Sequence, residues 1–133
     1  MSYGTSVTLQ APFADAVARV REALAAQEFG VLTEIDVTAT MRARLGEQME
    51  DYVILGACNP PFAHRALGID RSIGLLLPCN VVVRATPAGI VVEALDPQIM
   101  ATLTGRPELK PVADEAARRL AAALAGLKED GEE

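Results

Sequence analysis

Val81-Val82-Val83 is the stretch that most constrains the fold, because it puts branched aliphatic side chains on consecutive positions. Successive strand residues point to opposite faces, so a strand through these valines is apolar on both. A sheet built on such a strand needs cover on both sides. Only two stretches carry a long helical period, Phe13 to Leu24 and Glu108 to Leu127. Either these helices lie on opposite faces of the sheet or a second subunit covers one of them, and we expect a homodimer.

The rest of the chain supplies the partners for that strand. Tyr3 to Gln10 alternates Tyr3, Thr5, Val7 and Leu9 with Gly4, Ser6 and Thr8, the period of a half-buried strand. Pro12 suits a first helical turn, Phe13, Val17, Val20 and Leu24 form an apolar stripe, and Gly30 is the expected stop. A second strand, Val31 to Thr38, sets Val31, Thr33, Ile35 and Val37 on one face and Leu32, Glu34, Asp36 and Thr38 on the other. Glu34 and Asp36 are then neighbours on one face, read either as a solvated edge or as a carboxylate pair that holds a cation or polar ligand. A short helical turn, Thr40 to Leu45, is expected to be capped by Thr38 or Thr40 and stopped by Gly46.

Tyr52 to Ala57 reads as a strand. Asn59-Pro60-Pro61 is a helix-start signal, with a short helix from Pro61 to Leu67 and Gly68 at its exit. Leu75 to Arg84 and Ile90 to Leu95 are the next strands, joined by Thr86-Pro87-Ala88-Gly89. Asp96-Pro97 opens a helical turn that ends near Gly105. The last helix carries Val112, Ala116, Leu120, Leu124 and Leu127 on its buried stripe, and residues 129–133 form a charged tail expected to fray. The order is strand, helix, four strands, helix. That is an α+β fold, a two-layer β-α-β4-α with a mainly antiparallel sheet and short helical insertions, in a single domain over 1–133.

Charge and composition exclude some functions. The chain has 133 residues and a net charge of −6. An acidic chain whose aromatics are not interleaved with Lys or Arg is poorly suited to nucleic acid. The most apolar run, Ile73 to Val83, is short for a membrane span and is broken by Pro78 and Asn80. The start lacks a secretory pattern, so the expected location is the cytoplasm, with both cysteines as free thiols.

Both cysteines and the only histidine fall between Tyr52 and Val83, in two Cys-Asn pairs, Cys58-Asn59 and Cys79-Asn80, around His64. The run Ile54-Leu-Gly-Ala-Cys-Asn-Pro-Pro61 with Ala63-His64-Arg65-Ala66-Leu67, followed by Ile73-Gly-Leu-Leu-Leu-Pro-Cys-Asn-Val-Val-Val83, resembles the bacterial and archaeal domain of unknown function 302. Gly30 to Val37 and Asp96-Pro97 share the resemblance, which spans about Val7 to Leu127. It implies a TATA-binding-protein-like β-α-β4-α fold and no established activity, so it transfers motif positions rather than roles: Glu34, Asp36, Cys58, Asn59, His64, Cys79 and Asn80. Arg42 and Arg44 stand where relatives more often show lysines.

The residues leave three readings open. In the first, the Asn side chains satisfy backbone groups at two tight corners and the thiols are packed inside. In the second, Cys58, Cys79 and His64 are soft and borderline donors for Cu(I) or Zn, or line a small-ligand site. In the third, Cys58 is a nucleophile with His64 as base, or Cys58 and Cys79 form a thiol–disulfide sensor. If their strands are antiparallel neighbours, both thiols lie at one end of the sheet. We expect binding or sensing near the two corners more than turnover. No cofactor can be named from the sequence.

Overall fold

A computed structural model describes residues 3–131, with side chains described through Lys128. Its centre is one antiparallel five-stranded sheet in the order β1-β5-β4-β3-β2, built from β1 (Gly4–Leu9), β2 (Gly30–Asp36), β3 (Tyr52–Cys58), β4 (Cys79–Thr86) and β5 (Gly89–Leu95). The helices are α1 (Phe13–Ala26), α2 (Val37–Leu45), α3 (Pro60–Ile69), α4 (Ile99–Thr104) and α5 (Lys110–Gly131). The α+β order expected from the sequence is therefore the observed one.

The two long helices, α1 and α5, pack against each other and against the same face of the sheet. Val81 and Val83 of β4, Leu55 of β3 and Val92 of β5 are sealed beneath Val20, Leu24 and Leu120. Each such aliphatic side chain contributes about 1.5–3 kcal/mol when fully removed from water. A smaller cluster, with Ile73, Met100, Leu109 and Val112, fills the sheet end under α3 and α4. Val82 points the other way. Of the two covers that consecutive valines allow, this chain places both helices on one side. Among the described residues no helix is long and apolar enough to cross a membrane.

Local chemistry explains most boundaries. Gly46 and Gly105 end α2 and α4 at φ 67° and 68°, where a side chain is disfavoured. The hairpin between β4 and β5 is closed by Thr86, whose hydroxyl donates to Gly89 O and accepts from Ala88 N. A Cβ on Gly89, at φ 134°, would meet Leu9 O at 2.8 Å.

Five local features differ from expectation. Gly68 is not the exit of α3 but lies within it, since the helix runs on to Ile69 with Asp70 as its C-cap. Gly30 does not stop α1. The helix ends at Ala26, and Glu28 takes the positive φ of 66°, so that Phe29, whose N–H donates to Leu24 O, turns into the core. β2 does not alternate strictly, because its register with β3 shifts between Val31 and Thr33. This bulge puts Val31 against the core while Thr33 and Ile35 face the open side. The cap of α2 is neither threonine; Asp36 Oδ1 accepts from Ala39 N at 2.9 Å. Finally, β4 starts at Cys79 rather than Leu75. Asp70 caps a 3-10 turn, Arg71–Leu76, that buries Ile73, and Pro78 cannot donate to a ladder. In the expected tail, the α5 backbone continues to Gly131, and residues 132–133 lie outside the described residues.

Candidate functional site

The site is built where β3 ends and β4 begins. Ala57 pairs with Cys79 across the two strands, so the adjacent Cys58 reaches the same end of the sheet. Asn59 then turns the chain into α3. Its side chain is buried, with Oδ1 accepting from Phe62 N at 3.2 Å, and Pro60 and Pro61 occupy the first turn, where no N–H is needed. With the helix phase fixed there, Phe62, Ala63 and Ala66 turn inward. Phe29 closes the cleft from the α1–β2 turn, and Met100, Val112 and Ala116 close it from α4 and α5. The result is an apolar cleft of about 30 Å³ that both free cysteines help to line. Arg119 of α5 locks the outer wall. Its guanidinium lies 5.8 Å from the Phe62 ring centroid and pairs with Glu28 at 3.1 Å.

The environment keeps both thiols protonated. Burial raises the Cys58 thiol above its ordinary value. Burial, and then the charge of neighbouring Cys58, push Cys79 up to about 11. A helix N-terminus can stabilise a thiolate, but here the Asn59 side chain takes the Phe62 N–H. The stability consequence has a definite sign. Because the folded-state Cys79 value lies above the ordinary 9.0, its contribution is full below about pH 9 and is lost as pH rises toward 11. Urea midpoints measured at intervals from pH 8 to 11 should fall more steeply for the native chain than for C79A. Parallel slopes would mean that Cys79 is not desolvated.

The seven expected site residues separate into four places. Cys58, Asn59 and Cys79 are together at the cleft. His64 is on α3 but on its exposed side, so it neither meets Cys58 as a base nor joins the two thiols. Among the described residues no group of three or more His, Cys, Asp or Glu side chains is placed to hold a metal. Asn80 does not mirror Asn59. It is a strand residue opposite Gly56, exposed on the open face of the sheet. Glu34 pairs with Arg21 of α1, and Asp36 caps α2, so both are occupied at the β2 edge and away from the cysteines.

The apolar wall of Phe29, Phe62, Met100 and Val112 was missed by a reading directed at polar and sulfur-bearing residues. Val112 and Ala116 do stand out on the stripe of the last helix. Nothing local says that this stripe ends against the cysteine corner.

Comparison with known proteins agrees with the geometry. The family model for domain of unknown function DUF302 matches residues 5–127. The crystal structure of an uncharacterised conserved DUF302 protein from Bacillus stearothermophilus is similar at a TM-score of 0.87 and 28% identity, covering 94% of this chain and 98% of that one. No curated protein matches.

Proposed function

The chain belongs to the DUF302 family, a domain of unknown function, and we propose from its own geometry that it is a binding module whose cleft takes a soft monovalent metal ion, Cu(I), between Cys58 and Cys79. The observation that carries this reading is that both free cysteines line one apolar cleft of about 30 Å³. That volume suits a single ion and is far below the roughly 300–1,000 Å³ of ordinary small-molecule pockets. Thiolates are soft donors and favour Cu(I). Zinc in structural sites takes four ligands, and two sulfurs do not supply them. Cu(I) is satisfied by two thiolates in a linear arrangement, and an apolar wall shields it from water and oxidants. On binding, two S–H protons leave to solvent and two S–Cu bonds form, with no change of oxidation state. The pair of thiolates carries one net negative charge once the ion is in place, which offsets the repulsion from Cys58 that adds to burial in raising Cys79. A reducing cytoplasm, where free thiols and Cu(I) persist, is the compartment this reading assigns.

The test is anaerobic transfer of Cu(I) from a bathocuproine complex to the purified chain. One equivalent per chain should transfer, with a thiolate-to-copper absorption band in the ultraviolet. Apparent affinity should climb with pH by up to about 100-fold per unit, because two protons are released. C58S and C79S should each abolish transfer, and H64A should leave it unchanged. No transfer, or transfer that survives loss of either cysteine, overturns the proposal and leaves the thiols as packing groups.

A further inference from the structure

The connection between β2 and β3 is much longer than the strands require. Antiparallel neighbours can be joined by roughly two to five residues, yet here the whole stretch 37–51 intervenes. It is tied down at its base, where the Thr38 hydroxyl donates to Glu50 O at 2.7 Å and accepts from Tyr52 N at 2.9 Å. Beyond that base, α2 is half-buried at Val37 and Met41 and otherwise exposed. Thr38 is the residue it buries, while Arg42, Arg44 and Leu45 are exposed. Isolated helices below about 12–15 residues are marginal in water, and helices in proteins draw most of their stability from a packed face. The caps at Asp36 and Gly46 fix where α2 starts and stops. They do not supply such a face.

An apolar face is nonetheless present. Val37, Met41 and Leu45 recur every four residues along α2, and Leu45 is 68% exposed. Beside the arm, β2 presents Leu32 at 66% and Ile35 at 49% exposure. From Ile35 the patch continues onto the open side of the sheet, opposite the helices, through Ile54, Val82 and Tyr52. Among the described residues no helix covers that side.

We propose that this surface is a twofold interface with a second copy of this chain, in which the open sheet faces meet and each α2 arm reaches over its partner. Charge complementarity singles out a second copy. The chain as a whole carries −6 and repels itself, but the arm is locally mixed. Arg42 and Arg44 in α2 are followed at once by Glu47, Glu50 and Asp51. A surface with a basic half and an acidic half is self-complementary under a twofold axis, because each half meets the opposite half of its partner. At the centre of the open face, the Arg84–Glu93 pair at 2.7 Å leaves no unbalanced charge to oppose contact. Five strands at about 4.8 Å spacing and six to eight residues long present a face of roughly 24 by 20 Å. That footprint is about 480 Å², and the arm has to supply the rest of the roughly 800 Å² per partner of a stable interface. The cysteine cleft opens on the helix side, so this inference stands or falls independently of the copper proposal.

Light scattering coupled to size exclusion on the full chain should give twice the 14.1 kDa chain mass. I35E and L45E should each shift the chain to monomer with its circular dichroism retained. L103E, at an exposed leucine away from this surface, should remain dimeric. R42E/R44E should weaken the dimer at least tenfold, as should E47R/E50R, and combining the two pairs should restore it. A monomer at high concentration overturns the inference. So does a dimer indifferent to L45E, or one that L103E disrupts instead.

Discussion

Replacing Phe29 by alanine is expected to cost about 3–5 kcal/mol of folding stability, a large share of the roughly 5–15 kcal/mol available to a domain. Phe29 is 2% exposed and among the largest fully buried side chains. Its backbone is fixed by the bond from its N–H to Leu24 O, at the end of the turn where Glu28 takes a positive φ. The ring cannot be replaced by a simple shift of the turn. Removing it also enlarges the cleft beside the two thiols, because Phe29 is one of its walls. Urea unfolding at fixed protein concentration should show a lower midpoint with an unchanged slope. Alkylation of Cys79 in the folded protein should quicken in the same variant. F29L, which keeps most of the volume, should lose less than half as much. A loss below about 1 kcal/mol for F29A would mean that neighbouring side chains collapse into the space.

The second large effect is expected at Gly56, on the open side of the sheet. A Cβ built there would sit 2.2 Å from Thr33 Oγ1 and 2.9 Å from Pro78 Cγ. Something must move in G56A, and overpacking of this kind costs about 1–3 kcal/mol. The two neighbours differ in how they can yield. The Thr33 hydroxyl can rotate away on an exposed edge strand, whereas Pro78 belongs to a ring joined directly to Cys79. The double variant G56A/T33A should therefore recover part of the loss, with a coupling energy of about 0.5–3 kcal/mol. The remainder reports the push on Pro78. If T33A brings no recovery, the contact with Pro78 dominates. If G56A is neutral, β2 and β3 have room to separate at this point.

How much of the site was legible follows from which residues act over short range. Asn59 was readable as a cap because its partner is the N–H of Phe62, three residues on. Cys58 and Cys79 were readable as sharing one end of the sheet because antiparallel pairing of neighbouring strands brings those ends together. His64 was misplaced beside Cys58. Six residues of separation say nothing about helix phase, and once Asn59 fixes that phase, Ala63 and Ala66 turn inward and His64 turns out. The second Cys-Asn pair looked equivalent to the first for the same reason. Cys79 and Asn80 lie within a strand, so alternation sends one to the cleft and the other to the opposite face.

By itself, then, the sequence determined what depends on neighbours along the chain. Strand and helix periods set the β-α-β4-α order. Gly46 and Gly105 set two helix ends, the Thr86–Gly89 segment set a hairpin, and three consecutive valines set a strand apolar on both faces. The tertiary structure alone decided that α1 and α5 share one face of the sheet. It also decided that a bulge at Leu32 turns Ile35 to the open side, and that Phe29, Met100 and Val112 converge on two thiols from distant parts of the chain. The physical reason is that backbone caps and side-chain periods are local, whereas burial is shared among segments that meet only when the chain is packed. The triple valine required cover on both sides of the sheet, and packing left one of those sides open.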